Sequence, residues 1–126
     1  MTAQRPLSPD DLVVCRHFSA ALAAGDADAA LAHAHPEIEL HRVCDVLRGA
    51  SGVRRLAAGP RVAEHTATVR LEDVVPEGTR AVAHGRVELH STDTGALAES
   101  RRVTAVLEIR DGLVVRWQAI PHVHPF

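Results

Sequence analysis

Apolar residues recur at spacings of three and four from Val14 through Phe18, Ala21 and Leu22, the spacing of a helix with one face turned to a core. Ser8-Pro9-Asp10-Asp11 supplies its start: a hydroxyl that caps, a proline that fits the first turn, and two acids at the positive end of the helix dipole. The helix is predicted to run to about Ala24, where Gly25 stops it. Asp26 then caps a second, alanine-rich helix ending near His35, because Pro36 disfavours helical geometry in the residue before it.

From Glu37 the period changes to two. Ile38, Leu40 and Arg42 share one face of a strand, and Glu39 and His41 the other. A short third helix is predicted from Gly52 to about Ala58, closed by Gly59-Pro60. The second half alternates throughout. His65, Ala67, Val69 and Leu71 face inward against Thr66, Thr68, Arg70 and Glu72. After a turn at Pro76-Glu77-Gly78, Ala81, Ala83, Gly85, Val87 and Leu89 face inward against Val82, His84, Arg86, Glu88 and His90. Beyond a second turn at Thr92 to Gly95, Val103, Ala105, Leu107 and Ile109 face inward. Asp111-Gly112 is a hairpin signal. The last strand is predicted to alternate Leu113, Val115, Trp117 and Ala119 against Val114, Arg116, Gln118 and Ile120. Helices first and hairpins afterwards make an α+β fold, a bent antiparallel sheet with helices on one face.

Composition narrows the picture. At 126 residues the chain reads as one domain spanning 1–126, large enough to bury roughly two-thirds of its unfolded surface. Fourteen basic and 16 acidic residues are spread along its length, net −2, which argues against a nucleic-acid footprint. No apolar run approaches the roughly 20 residues needed to span a bilayer. Two cysteines, Cys15 and Cys44, without a secretory leader read as reduced thiols in a cytoplasmic protein. Nine histidines and no tyrosine leave imidazole as the group best suited to proton transfer near neutrality.

Several stretches in this order carry a likeness: Ala24-Gly25-Asp26, His35-Pro36-Glu37-Ile38-Glu39-Leu40-His41, Arg48-Gly49-Ala50-Ser51-Gly52-Val53-Arg54-Arg55 and Arg110-Asp111-Gly112-Leu113-Val114-Val115-Arg116-Trp117. Over roughly residues 10 to 121 the chain resembles the SnoaL-like branch of the nuclear transport factor 2-like superfamily. The resemblance implies a cone-shaped fold, N-terminal helices packed on a strongly bent antiparallel or mixed sheet that encloses a pocket. It leaves the activity open among ketosteroid isomerase-like, epoxide hydrolase-like, dehydratase-like and cyclase-like enzymes and members that only bind. Where ketosteroid isomerases carry a base aspartate on the first strand this chain has Arg42, or His41 if the register shifts by one. Their second aspartate falls at Ala105 and their helix-one tyrosine near Phe18. The terminal carboxylate of epoxide hydrolase-like members falls at Pro121. Dehydratase-like members have a histidine where this chain has His65.

The ionisable residues that parity puts on the apolar faces are His65 and Arg42. In a pocket His65 could act as general acid or base and Arg42 could stabilise an anionic oxygen. Equally, His65 could lie at an exposed strand entry and Arg42 could snorkel to solvent. His41 stands in reserve, and Phe18, Trp117, Leu40 and Ala105 are the candidate substrate-binding residues, Phe18 and Trp117 being core fillers first. His33-x-His35, His41-x-x-Cys44 and His122-x-His124 look ligand-like but match no paired zinc spacing, so neither a metal nor a cofactor is expected. The expected function is a cofactor-independent isomerase, cyclase or dehydratase acting on an apolar oxygenated metabolite. The alternative is a ligand-binding or accessory protein of the same fold. A homodimer is expected, because the outer sheet face mixes Val82, Val106, Val114 and Ile120 with charges.

Overall fold

The computed structural model describes residues 6–42, 45–59, 61, 62 and 64–121, the side chains of 61, 62 and 121 excepted. In chain order the elements are α1 (Pro9–Ala23), α2 (Ala27–Leu31), β1 (Ala34–His41), β2 (Val46–Arg48), α3 (Gly49–Ala57), β3 (Arg61–Val62), β4 (His65–Glu77), β5 (Arg80–Ser91), β6 (Leu97–Arg110) and β7 (Leu113–Pro121). The strands form a single mixed sheet in the order β2-β1-β7-β6-β5-β4-β3. All neighbours are antiparallel except β1 and β7. The result is an α+β cone, its helices packed against one face of an unclosed, bent sheet.

Local chemistry explains most boundaries. Ser8 caps α1 in a reciprocal capping box with Asp11, the Ser8 hydroxyl accepting from the Asp11 N–H and the Asp11 carboxylate from the Ser8 N–H. The Asp26 carboxylate accepts from Ala29 N–H to cap α2. That helix ends at Leu31, earlier than the alanine run predicts. The Val114 N–H donates to His33 O at 2.9 Å and Ala34 pairs with Val114, so the parallel ladder with β7 captures the chain before helix propensity can extend it. Pro36 then sits inside β1 without harm, because β2 pairs only with Glu39, Leu40 and His41. The two-stranded pairings β1–β2 and β3–β4 at the sheet edges lie outside the sequence reading, both partners being too short to show a period.

The inner sheet face and the helices share one core. Cys15, Phe18, Ile38, Leu40, Val53, Leu107, Val114 and Trp117 are fully or almost fully buried in it, with Ala81, Ala83 and Ala105 as the small sheet positions beneath. α1 lies against β4, and the Arg16 guanidinium donates to Val74 O at 3.2 Å. Two bulges correct the expected alternation. In β7, Glu108 pairs with Arg116 and Ile109 with Val114, so Val115 is the extra residue. Val114 therefore turns inward and is wholly buried, and it contributes nothing to the outer face on which it was expected. In β4, Leu71 pairs with Gly85 and Asp73 with His84, leaving Glu72 extra and turning Val74 into the core. The bulge draws β4 over β5 so tightly that a Cβ on Gly85 would stand 2.0 Å from Arg70 O. Only glycine permits that approach, and it bends the sheet around the helices.

Candidate functional site

The bend leaves a gap between the C-terminal ends of α1 and α3 and the near halves of β4, β5 and β7. It is a cavity of about 520 Å³. Its walls are mostly small and apolar: Leu22, Ala23 and Ala24 from the end of α1, Leu56, Ala57 and Ala58 from the end of α3, Ala67 and Val69 from β4, Val87 from β5, Trp117 and Ala119 from β7. Gly59 closes α3 with φ +75°, and a Cβ there would meet Thr66 Cγ2 at 2.8 Å, so glycine lets the helix end settle on β4. Thr66 and Thr68, expected on the polar face, line the same gap.

The charged side chains lining the cavity, among the described residues, are Arg42 and Asp45. Backbone and side-chain hydrogen bonds hold the two together. The Arg42 N–H donates to Asp45 O at 2.9 Å, and the guanidinium grips the carboxylate with two hydrogen bonds, Nε to Oδ1 at 2.7 Å and Nη2 to Oδ2. The Arg42 hydrogen bond holds the Asp45 carboxyl below its ordinary range, helped by the charges of Arg42 and Arg55. Asp45 is thus a firmly ionised carboxylate at the rim of an apolar chamber, oriented by its cation. Trp117, 1% exposed, forms part of the wall, and its Nε1 is a buried donor with no acceptor among the described residues.

Of the residues singled out from the sequence, the cavity wall contains Arg42 and Trp117. His65 is half-buried at the start of β4, opposite Val62 and Ser91, and is not part of the wall. His41 lies on the outer sheet face, where its Nε2 meets Glu39 Oε1 at 2.9 Å and lowers the Glu39 pKa. Phe18, Leu40 and Ala105 have no exposed surface and serve as core beneath the cavity instead of lining it. They are large or small apolar residues at inward positions, and pattern alone does not separate core from wall. Asp45 was missed. Its signal in the sequence is the Arg-x-x-Asp spacing at the end of the first strand, which the alternating pattern masks by making Arg42 the strand's last inward residue.

No group of three or more His, Cys, Asp or Glu side chains among the described residues is arranged to hold a metal ion. His33 stacks edge-on against His17 with ring centroids 5.4 Å apart, and His35 Nδ1 accepts from the Glu37 N–H. Cys44, His122 and His124 lie outside the described residues. Cys15 is a free, buried thiol whose pKa burial pushes up to about 12, so it is a core residue. No helix among the described residues is long and apolar enough to cross a membrane.

Solved structures reproduce this architecture with divergent sequences. An NTF2-like protein from Burkholderia pseudomallei superposes with a TM-score of 0.72 at 15% identity, over 91% of this chain and 92% of that one. An LEH-like epoxide hydrolase from M. tuberculosis gives 0.68 at 19% identity, over 90% and 83%. A putative SnoaL-like polyketide cyclase from Jannaschia sp. CCS1 gives 0.69 at 13%, over 95% and 90%. These likenesses establish the fold alone. No curated protein matches the sequence. The SnoaL-like domain matches residues 15–117, from the buried thiol of α1 to the tryptophan of the cavity wall, and with that span and this bent sheet the chain belongs to the SnoaL-like domain family.

Proposed function

We propose that the protein receives an apolar, oxygenated small molecule in the 520 Å³ cavity and moves a proton on it without a cofactor, as an isomerase, cyclase or dehydratase would. One observation carries this reading: an apolar chamber of ligand size whose charged lining, among the described residues, is the hydrogen-bonded Arg42–Asp45 pair. In this reading Arg42 polarises a substrate carbonyl or stabilises the oxyanion that forms, and Asp45 accepts the proton. The two roles are coupled. While Arg42 grips it, Asp45 is a weak base; a substrate oxygen that competes for the guanidinium loosens the grip and raises the carboxylate's basicity as negative charge develops on the oxygen. His65 enters only if the substrate reaches past the cavity to the start of β4, and His41, on the outer sheet face, takes no part in this reading.

The test is a panel of cyclic enones and hydroxyketones incubated with the protein in D2O, with mass spectrometry reading both binding and deuterium uptake at carbon. Asp45→Asn should leave binding intact and abolish deuterium uptake. Retention of uptake in that variant would remove Asp45 from the mechanism, and no binding across the panel would overturn the ligand class. A second reading has its own support: the salt bridge that holds Asp45 ionised and occupied suits a carrier or accessory protein that binds the same ligands unchanged. Binding without deuterium uptake in the wild type would establish it. In either reading we take the protein to act as a homodimer through its outer sheet face, where Val82, Val106 and Ile120 stand among charges.

A further inference from the structure

Two charged rows cross the outer face of the sheet, and they are built on opposite rules. Near the β4–β5 turn, Glu77, Arg80, Glu108, Arg116, Glu39 and Arg48 are register-paired in succession and alternate in sign across six strands. Nearer the β5–β6 turn, Arg70 of β4 stands opposite Arg86 of β5, and Arg86 stands opposite Arg102 of β6. Arg86 lies an even number of residues from Arg80, as Arg102 does from Glu108, so both stay on the same face; the extra residue Glu72 brings Arg70 into phase with Glu77. Three arginines thus adjoin across three strands with no acid between them.

Like charges directly opposite in a ladder are destabilising. The strands are not free to splay there, because β4 is drawn onto Gly85, the residue next to Arg86. Internal partners cover little of the charge. Arg70 Nε donates to Glu88 Oε1 at 2.9 Å, a carboxylate oxygen that also faces His90 Nε2 at 4.0 Å. Arg86 Nη1 donates to the neutral Ser100 hydroxyl at 3.3 Å. Arg102 makes no hydrogen bond or ion pair among the described residues. Asp73, one row along, stands opposite His84. All three arginines are exposed, and only Arg70 is matched by a carboxylate among the described residues, so the charges of Arg86 and Arg102 are left over.

We infer that Arg86 and Arg102, with Arg70 beside them, bind a doubly charged phosphoryl group, as inorganic phosphate or a phosphate monoester. Neighbouring strands set the two arginines about 4.8 Å apart, close enough for both guanidinium forks to close on one tetrahedral anion. A phosphoryl group carries about −1.5 to −2 at neutral pH, which matches the charge left over. A carboxylate brings one charge and two oxygens, enough for a single fork. The Ser100 hydroxyl accepts from Arg86 and keeps its own proton to donate to a phosphoryl oxygen. The site stands beside the patch taken for self-association: Arg86 and Arg102 are each four residues, about 13 Å, along their strands from Val82 and Val106.

The experiment is calorimetric titration of the full chain with sodium phosphate, glycerol phosphate and sodium acetate at fixed ionic strength, with urea unfolding in each salt. Phosphate and glycerol phosphate should bind and raise the urea midpoint, and acetate or matched sodium chloride should do neither. Arg86→Gln and Arg102→Gln, each shown by circular dichroism to be folded, should weaken phosphate binding at least about tenfold. Arg54→Gln, which removes an arginine paired with Asp28 elsewhere on the surface, should leave it unchanged. Without phosphate, at low salt, Arg86→Gln should be no less stable than the wild type, because it relieves like-charge contacts. Binding of the ester at least as tight as that of phosphate names an esterified ligand, and weaker binding names free phosphate; either upholds the site. Absence of phosphate binding, an equal response to chloride or undiminished affinity in both variants would overturn it. So would a loss of stability in phosphate-free Arg86→Gln, by showing that the row is satisfied within the fold.

Discussion

Gly85→Ala tests the bend on which the cavity depends. The added Cβ would lie 2.0 Å from Arg70 O and 2.8 Å from Leu71 Cα, both backbone atoms, and Cβ contacts under 3.0 Å are essentially never found. β4 must therefore retreat by at least 1.0 Å at Arg70, the gap between 2.0 Å and the 3.0 Å floor. That movement breaks or stretches ladder bonds beside the Glu72 bulge, at about 1 kcal/mol each, and adds overpacking strain of about 1–3 kcal/mol. Alanine's lower entropy in the unfolded chain returns under about 1 kcal/mol. The expected net loss is about 3 kcal/mol, a large part of the roughly 5–15 kcal/mol that holds a domain folded. Gly95→Ala is the control: its φ is +72°, but nothing lies within 4 Å of a Cβ there, so its cost is conformational and about 1 kcal/mol. Urea unfolding followed by the fluorescence of Trp117, the chain's single tryptophan, gives both values on one scale. A Gly85→Ala variant as stable as Gly95→Ala would refute the close approach and with it the account of the bend.

Trp117→Ala should cost about 3–5 kcal/mol, because the residue is 1% exposed in the core; a loss under about 1 kcal/mol in urea unfolding followed by far-UV circular dichroism would contradict its burial. In the wild type, filling the cavity with any ligand of the enone panel should change the Trp117 emission, and an unchanged spectrum at saturation would place the ligand elsewhere. Ser8→Ala should lose about 1 kcal/mol by removing one half of the α1 capping box, and Ser8→Asp should recover most of it in the same urea series. In a Cys44→Ser background, Cys15 should resist a thiol reagent until urea unfolds the chain; fast labelling of the folded protein would contradict its burial. Its raised pKa also fixes a sign. From the ordinary thiol value up to about 12 the unfolded chain loses the proton that the folded chain keeps, so stability must fall as pH rises through that window. The sequence contains neither lysine nor tyrosine to titrate there, and Cys15→Ala should flatten that slope.

The elements of the fold were legible wherever a run was long enough to show its period. The stripe of α1, the capping box at Ser8 and the inward alanines of β5 and β6 follow from spacing and side-chain chemistry, because helix and strand each expose a fixed repeat to a core. Legibility failed where non-local pairing overrode local preference. α2 yields to the β7 ladder at His33, and β2 and β3 exist only through their partners. The bulge at Val115 inverts the faces of Val114 and its neighbours, and a bulge has no obligatory sequence mark. The candidate site was legible in part for the same reason. Parity offers Arg42 as an inward charge, and His65 shares that parity, but parity does not say how far along a strand the helices reach.

By itself, then, the sequence determined the α+β order, the apolar inner face and a residue set without tyrosine, since these depend on composition and on periods of two and 3.6. Tertiary structure decided which inward residues become wall and which become core. It turned Arg42 onto Asp45 and His41 onto Glu39, and it lined up six separate strands' charges into one row. Those outcomes depend on register and bend, which are set by contacts between residues far apart in the chain and appear in no single stretch of it.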